Sequence, residues 1–459
     1  MFSFLVSLVF PVSIAFAADV CPVSSADHFK TASIEELGRH LRTRNMSEKT
    51  KAVEQRLARL NSAACQGKIW PDGKLLKSPT RVIDEDAKAV FQFDPQTNAM
   101  EFLREATPDD LSAPLYQFHK KDDGGITMHF RSPPKGPPPG QGGQNSAPTK
   151  RERLCDAEKG RHDDFLRTNI PKRRLDDNDG NMTTLAHESF HNVDQDPKNP
   201  VHTHTGACRW AHDGKDPDRT LSGDKDAIQL IRQHIMLNLK KSLDAKPKSS
   251  ERTAALAQVK AWSTKLKKEF PEASKQLNDI DRGEGSAEYA GVLANIYGKI
   301  GCDADPEDFR KEFSKYLNDR YFPIPQSVDQ QAYLLGSASG VLLDEMTKSD
   351  SWKKQVTLKE KSPLDLLVND PSFKSVPDVA PEEDPTMTSA ASLSKAVTQC
   401  LQGEAEKSVS AVLKNPNDYV LVELEKVQFG LSGSFSVDTP DGKVEVYTEA
   451  SARANMSFE

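Results

Sequence analysis

The chain has 459 residues, 36% hydrophobic and 28% charged, with a formal net charge of −7 and a pI near 6.0. That length exceeds one ordinary core and asks for two or three domains. The acidic balance argues against nucleic acid as the main partner, because phosphate binding needs a clustered excess of Lys and Arg. The 29 prolines and 25 glycines imply substantial loop, while collagen, coiled coil and complete disorder are excluded.

Residues 1–17 read as a secretory signal, a short apolar stretch closing on the small-x-small triplet Ala15-Phe16-Ala17, without a basic leader. No later segment approaches the roughly 18 apolar residues that a stable membrane span needs. The expected location is therefore secreted or periplasmic. Cys21, Cys65, Cys155, Cys208, Cys302 and Cys400 are even in number, so a chain leaving the cytosol can form disulfides with them. Their scattered positions lack the C-x-x-C spacing of a zinc ribbon or redox motif.

Residues 34–62 carry helix formers at helical spacing, so 18–88 is expected to be a helical N-terminal region or pro-segment. The stretch 89–103 predicts a hairpin around an Asp-Pro-Gln-Thr-Asn turn, and 125–130 a further strand. The Pro- and Gly-rich run at 132–150 cannot bury a core and must be loop. Long helical periodicity follows at 225–242, 251–268, 284–300, 307–317 and 328–347. Residues 351–392 are expected to form a linker, and 393–459 a helix followed by β structure with a Pro-Asp-Gly turn at 440–442.

One motif carries chemistry. In His187-Glu188-Ser189-Phe190-His191 the two histidines stand four apart, so on a helix both rings lie on one face as two ligands of one ion require. Met182, Leu185, Ala186, Phe190 and Val193 gather on another side, which allows the helix to bury an apolar face while the histidines turn away from it. A catalytic zinc usually takes three protein ligands and leaves a fourth position open. His202, His204 and His212 are nearby candidates for the third. The stronger one is distant, in "DRGEGSAEYAGVLANIYGKI" at 281–300, where Glu284 and Glu288 share a helical face opposite an apolar stripe. Their spacing separates two roles: Glu284 as third ligand, and Glu288 as acceptor for the free N–H of a ligand imidazole. Ala287 and Gly291 beside them are small enough to admit another helix.

Together these residues resemble the gluzincin metallopeptidases, zincins whose third ligand is a glutamate on a later helix. His187-Glu188-x-x-His191 matches their first motif, and Glu284-Gly285-Ser286-Ala287-Glu288-Tyr289 is similar to the second motif of several branches. Pro197, six residues after His191, departs from the histidine of the metzincin class. The 92 residues between His191 and Glu284 exceed the spacing of compact members. The resemblance implies an α+β fold with a zincin-like catalytic domain over 89–350, mostly helical with a small N-terminal sheet. It also implies Zn²⁺, a peptide or protein substrate, Glu188 as general base and Tyr333 as a candidate oxyanion donor. The rival expectation is a non-catalytic envelope or extracellular binding protein, against which Glu188 speaks, since a structural site does not require it.

Overall fold

A computed structural model describes residues 46–71, 80–112, 116–118, 126–130, 161, 177–193, 195, 221–320, 327–347, 349–359, 361–414, 427–431, 434–439, 442–447 and 450–454. The expected signal at 1–17, the loop at 132–150, and His202, His204 and His212 lie outside these residues.

Helix α1 (Glu48–Leu60) opens at Ser47, whose hydroxyl accepts from the Thr50 N–H, and α2 (Ala63–Ile69) follows. A sheet comes next, built from β1 (Thr80–Asp84), β2 (Ala89–Asp94) and β3 (Ala99–Glu105), then the short α3 (Pro108–Ser112), β4 (Tyr116–Phe118) and β5 (Ile126–Phe130). The strand order is β3-β2-β1-β5-β4, antiparallel except for the parallel β1–β5 pair. The expected β2–β3 hairpin is present, its turn closed by Asn98 at φ 58°, a left-handed conformation that Asn tolerates. The strand at the middle of the sheet, β1, falls within the segment expected to be helical. "TRVID" is too short for its alternation to stand out, and pairing on both sides is what makes it a strand.

The remainder is helical: α4 (Asp177–Val193), α5 (Lys225–Asp244), α6 (Ser250–Glu269), α7 (Pro271–Ile300), α8 (Pro306–Arg320) and α9 (Val328–Thr347). The five long helices predicted by periodicity are all found, and the one expected at 284–300 begins earlier, at Pro271 in the first turn. From Ala287 to Ala294 every residue of α7 is buried, which marks it as the central helix of the core. Helices α4, α9 and α1 pack around it. A disulfide between Cys65 and Cys302 fastens the α2 region to the chain just beyond α7.

Much of the expected linker at 351–392 is folded, while 377–384 runs without helix or turn. The folded part holds α10 (Ser351–Lys359), α11 (Pro363–Asn369) and a 3-10 turn (Pro371–Ser375), and Trp352, Val356, Leu364, Leu366, Leu367 and Phe373 enter the core. Pro363, Pro371 and Pro385 each start a helix, Pro363 directly after the capping hydroxyl of Ser362, while Pro377 and Pro381 lie in the stretch without helix or turn. Helix α12 (Pro385–Lys414) precedes β6 (Val427–Leu431), β7 (Ser434–Thr439), β8 (Gly442–Tyr447) and β9 (Ala450–Ala454), with β7 and β8 forming the hairpin expected around 440–442. No helix among the described residues is long and apolar enough to cross a membrane.

Candidate metal centre

Helix α4 turns Met182, Leu185, Ala186 and Phe190 into the core, as its apolar pattern predicts. His187 and His191 therefore face α7, and His187 is buried while His191 keeps partial exposure. Gly291 on α7 sets the approach. A Cβ there would stand 2.6 Å from the Thr183 carbonyl oxygen and 3.2 Å from His187 Cβ, so only glycine lets the helices come this close. On the other side of α7, Gly285 and Gly336 meet backbone to backbone, drawing α9 and Tyr333 towards the same place.

The two helices bring together His187, His191 and Glu284, the three residues that could hold a metal among the described ones. His187 Nε2 and His191 Nε2 are 3.0 Å apart, and each is 3.4 Å from Glu284 Oε2. A tetrahedral zinc bound to N and O at about 2.0–2.2 Å separates its ligand atoms by roughly 3.3 Å, so the donor triangle already has the right size. His187 Nδ1 lies 2.9 Å from Glu288 Oε2, and a carboxylate can only accept, so Nδ1 carries a proton and the neutral form of the ring, the one that can bind a metal, presents its Nε2 lone pair to the centre. Glu288 does not enter the triangle. It is buried, and its other oxygen accepts from the Tyr316 hydroxyl at 2.6 Å.

The electrostatics favour a cation. Burial alone would pull His187 down, but hydrogen bonds to Glu284 and Glu288 and the charges of Glu288 and Glu188 carry it up to about 9. Burial pushes Glu284 upward, yet its hydrogen bonds to His187 and His191 and their charge hold it well below the usual carboxylate range. Glu288 is also lowered against burial, chiefly by His187, with help from Arg320 and Tyr316. Tyr333 lies edge-on to His187, with ring centroids 5.1 Å apart. Its hydroxyl is shifted upward by burial and by the charges of Glu284, Glu288, Asp329 and Glu188. The half-buried Glu188 thus acts electrostatically on both His187 and Tyr333.

Six of the residues singled out in the sequence meet here, His187, Glu188, His191, Glu284, Glu288 and Tyr333, while His202, His204 and His212 lie outside the described residues. Three others were not foreseen. Gln195 is one helical turn beyond His191, and its Oε1 lies 2.5 Å from His191 Nδ1, a spacing that the sequence does display. Tyr316 and Arg320 share a face of α8, but nothing in their spacing points towards Glu288. No family model matches the chain, and no curated protein or solved structure is significantly similar to it, so the case for a metal centre rests on its donor geometry.

Proposed function

We propose that the protein is a zinc-dependent peptidase of gluzincin type, secreted or periplasmic, acting on peptide or protein substrates. The observation that carries this reading is the convergence of two imidazole Nε2 atoms and one carboxylate oxygen at 3.0–3.4 Å, with Glu288 and Glu188 beside them. His187, His191 and Glu284 would hold the ion, whose contribution is a Lewis acid and a bound water of lowered pKa. Glu288 and Gln195 orient the two imidazoles. Glu188 takes a proton from the water that attacks the peptide carbonyl and delivers it to the leaving amine nitrogen. Tyr333, whose ring lies edge-on to His187, would donate its hydroxyl to the carbonyl oxygen as negative charge develops there. The Cys65–Cys302 disulfide supports an oxidising compartment.

Purified protein should carry about one zinc per chain and cleave fluorogenic peptides in a chelator-sensitive manner. Glu188→Gln should keep the zinc and the fold while losing at least about two orders of magnitude in turnover, the usual scale for a general base. Zinc without cleavage in the wild type would favour the binding-protein alternative. Absence of zinc under loading conditions would remove the metal centre altogether.

A further inference from the structure

Helix α4 does not end at its last hydrogen-bonded turn with Gln195 trailing away. The Gln195 N–H closes back on the Phe190 carbonyl at 3.0 Å, a 6→1 turn of the kind that finishes many helices, and this folds the side chain back beside His191. The amide then touches two things at once. Its Oε1 lies 2.5 Å from His191 Nδ1, and its Nε2 donates to the Gly283 carbonyl at 3.0 Å. Gly283 immediately precedes the ligand Glu284 on α7.

The orientation of this amide is not arbitrary. A backbone carbonyl only accepts, so the NH₂ end must face Gly283 and the oxygen must face His191. An oxygen in that position requires the proton of His191 on Nδ1, which leaves the Nε2 lone pair directed at the donor triangle. The opposite tautomer would put an N–H on Nε2, 3.0 Å from His187 Nε2 and aimed into the space the ion would take. We infer that Gln195 is a positioning residue which fixes the metal-competent tautomer of His191 and, through Gly283, ties that choice to the helix bearing Glu284. The inference rests on the metal-centre reading above and adds to it one side chain that joins the histidine helix to the glutamate helix. Glu288 performs the first of these tasks for His187 with a charge, whereas Gln195 performs it with a neutral group. The second task needs a donor and an acceptor on one side chain, which a carboxylate lacks.

Two substitutions separate hydrogen bonding from packing. Gln195→Met keeps the length and loses both bonds, while Gln195→Glu keeps an acceptor for His191 and loses the donor to Gly283. Zinc affinity, measured by titration against a competing chelator, should fall about 10- to 100-fold in Gln195→Met, the usual penalty for a lost partner of a ligand imidazole. Gln195→Glu should recover at least half of that loss on a logarithmic scale. The visible absorption of the Co²⁺-loaded protein should change in Gln195→Met and stay close to wild type in Gln195→Glu. Thermal unfolding of the metal-free forms checks that both variants fold. Should wild type bind zinc and Gln195→Met bind it equally well, the inference is overturned while the metal centre stands. Equal losses in the two variants would also overturn it, since the bond to His191 that Gln195→Glu keeps would then contribute nothing. A wild type that binds no zinc brings down both readings.

Discussion

Glu284 and Glu288 stand one helical turn apart and meet different atoms of the same histidine. Glu284 Oε2 faces Nε2 of His187 and of His191, whereas Glu288 Oε2 faces His187 Nδ1 and is held from behind by Tyr316. Their losses should differ in kind. Glu284→Ala removes one of three ligands and should largely abolish stable zinc binding, as should His187→Ala or His191→Ala. Glu288→Ala leaves the triangle intact and should cost roughly 10- to 100-fold in affinity. Chelator titration of the variants decides between these roles, and zinc lost from Glu288→Ala but kept by Glu284→Ala would exchange them. At this scale the three candidate donors were legible because metal binding demands particular residue types at helical spacing. Tyr316 and Arg320 were not, because their role depends on where α8 lies.

At the scale of elements, the site exists because α4 and α7 approach without a side chain between them. Gly291→Ala would drive a Cβ to 2.6 Å from the Thr183 carbonyl oxygen, and backbone cannot swing aside as a flexible side chain can. The variant should lose about 1–3 kcal/mol of stability, the cost of overpacking, and bind zinc more weakly as the helices separate. Gly283 lies on the same helix with nothing within 4 Å of its missing Cβ, and its carbonyl would survive substitution. Gly283→Ala should therefore gain about 0.4–1 kcal/mol with metal binding unchanged. Denaturant unfolding of the pair measures the contrast, and equal effects would contradict it.

A second element contact predicts pH dependence. Asp84, at the end of β1, accepts from the Ser47 N–H at 2.9 Å, from the Thr50 hydroxyl at 2.7 Å and from the Ala87 N–H at 3.0 Å, joining the start of α1 to the sheet. Burial pushes its carboxyl upward, but these hydrogen bonds outweigh it and hold the group below its ordinary value. A depressed folded-state pKa contributes stability that is present above the unfolded value, near 3.9, and is lost as pH falls through the folded one. Asp84→Asn should accordingly be less stable than wild type at neutral pH, with the difference shrinking below about pH 4 in thermal unfolding scans.

For the whole molecule, the Cys65–Cys302 disulfide closes a sequence separation of 237 residues and ties the N-terminal helices to the far end of α7. Replacing both cysteines by serine should destabilise the protein by about 2–4 kcal/mol. Reductant should lower the melting temperature of the wild type more than that of the double variant, in which Cys400 remains disulfide-bonded. Metal held by His187, His191 and Glu284 would add a second global term, because an ion that binds only the folded chain stabilises it by about 2.7 kcal/mol at a hundred times its Kd. Zinc should therefore raise the melting temperature of the wild type and not that of His187→Ala.

The amino-acid sequence by itself determined the long helices and the identity of the donors. Helical periodicity is local, and a histidine pair four apart shares a face wherever the helix is placed. It also determined the β2–β3 hairpin, whose turn chemistry is written in neighbouring residues. Only the tertiary structure decided that Thr80–Asp84 is a strand between two others, since a five-residue segment takes its conformation from what pairs with it. The same holds for 351–376, which becomes helices and a turn because α7 and α9 offer apolar surface to cover. The hydrogen-bond partners of His187 Nδ1 and His191 Nδ1 belong to this second class. One is Glu288, 101 residues from His187, and the other a glutamine whose orientation is fixed by a carbonyl 88 residues away, and contacts at that range exist only once the helices have packed.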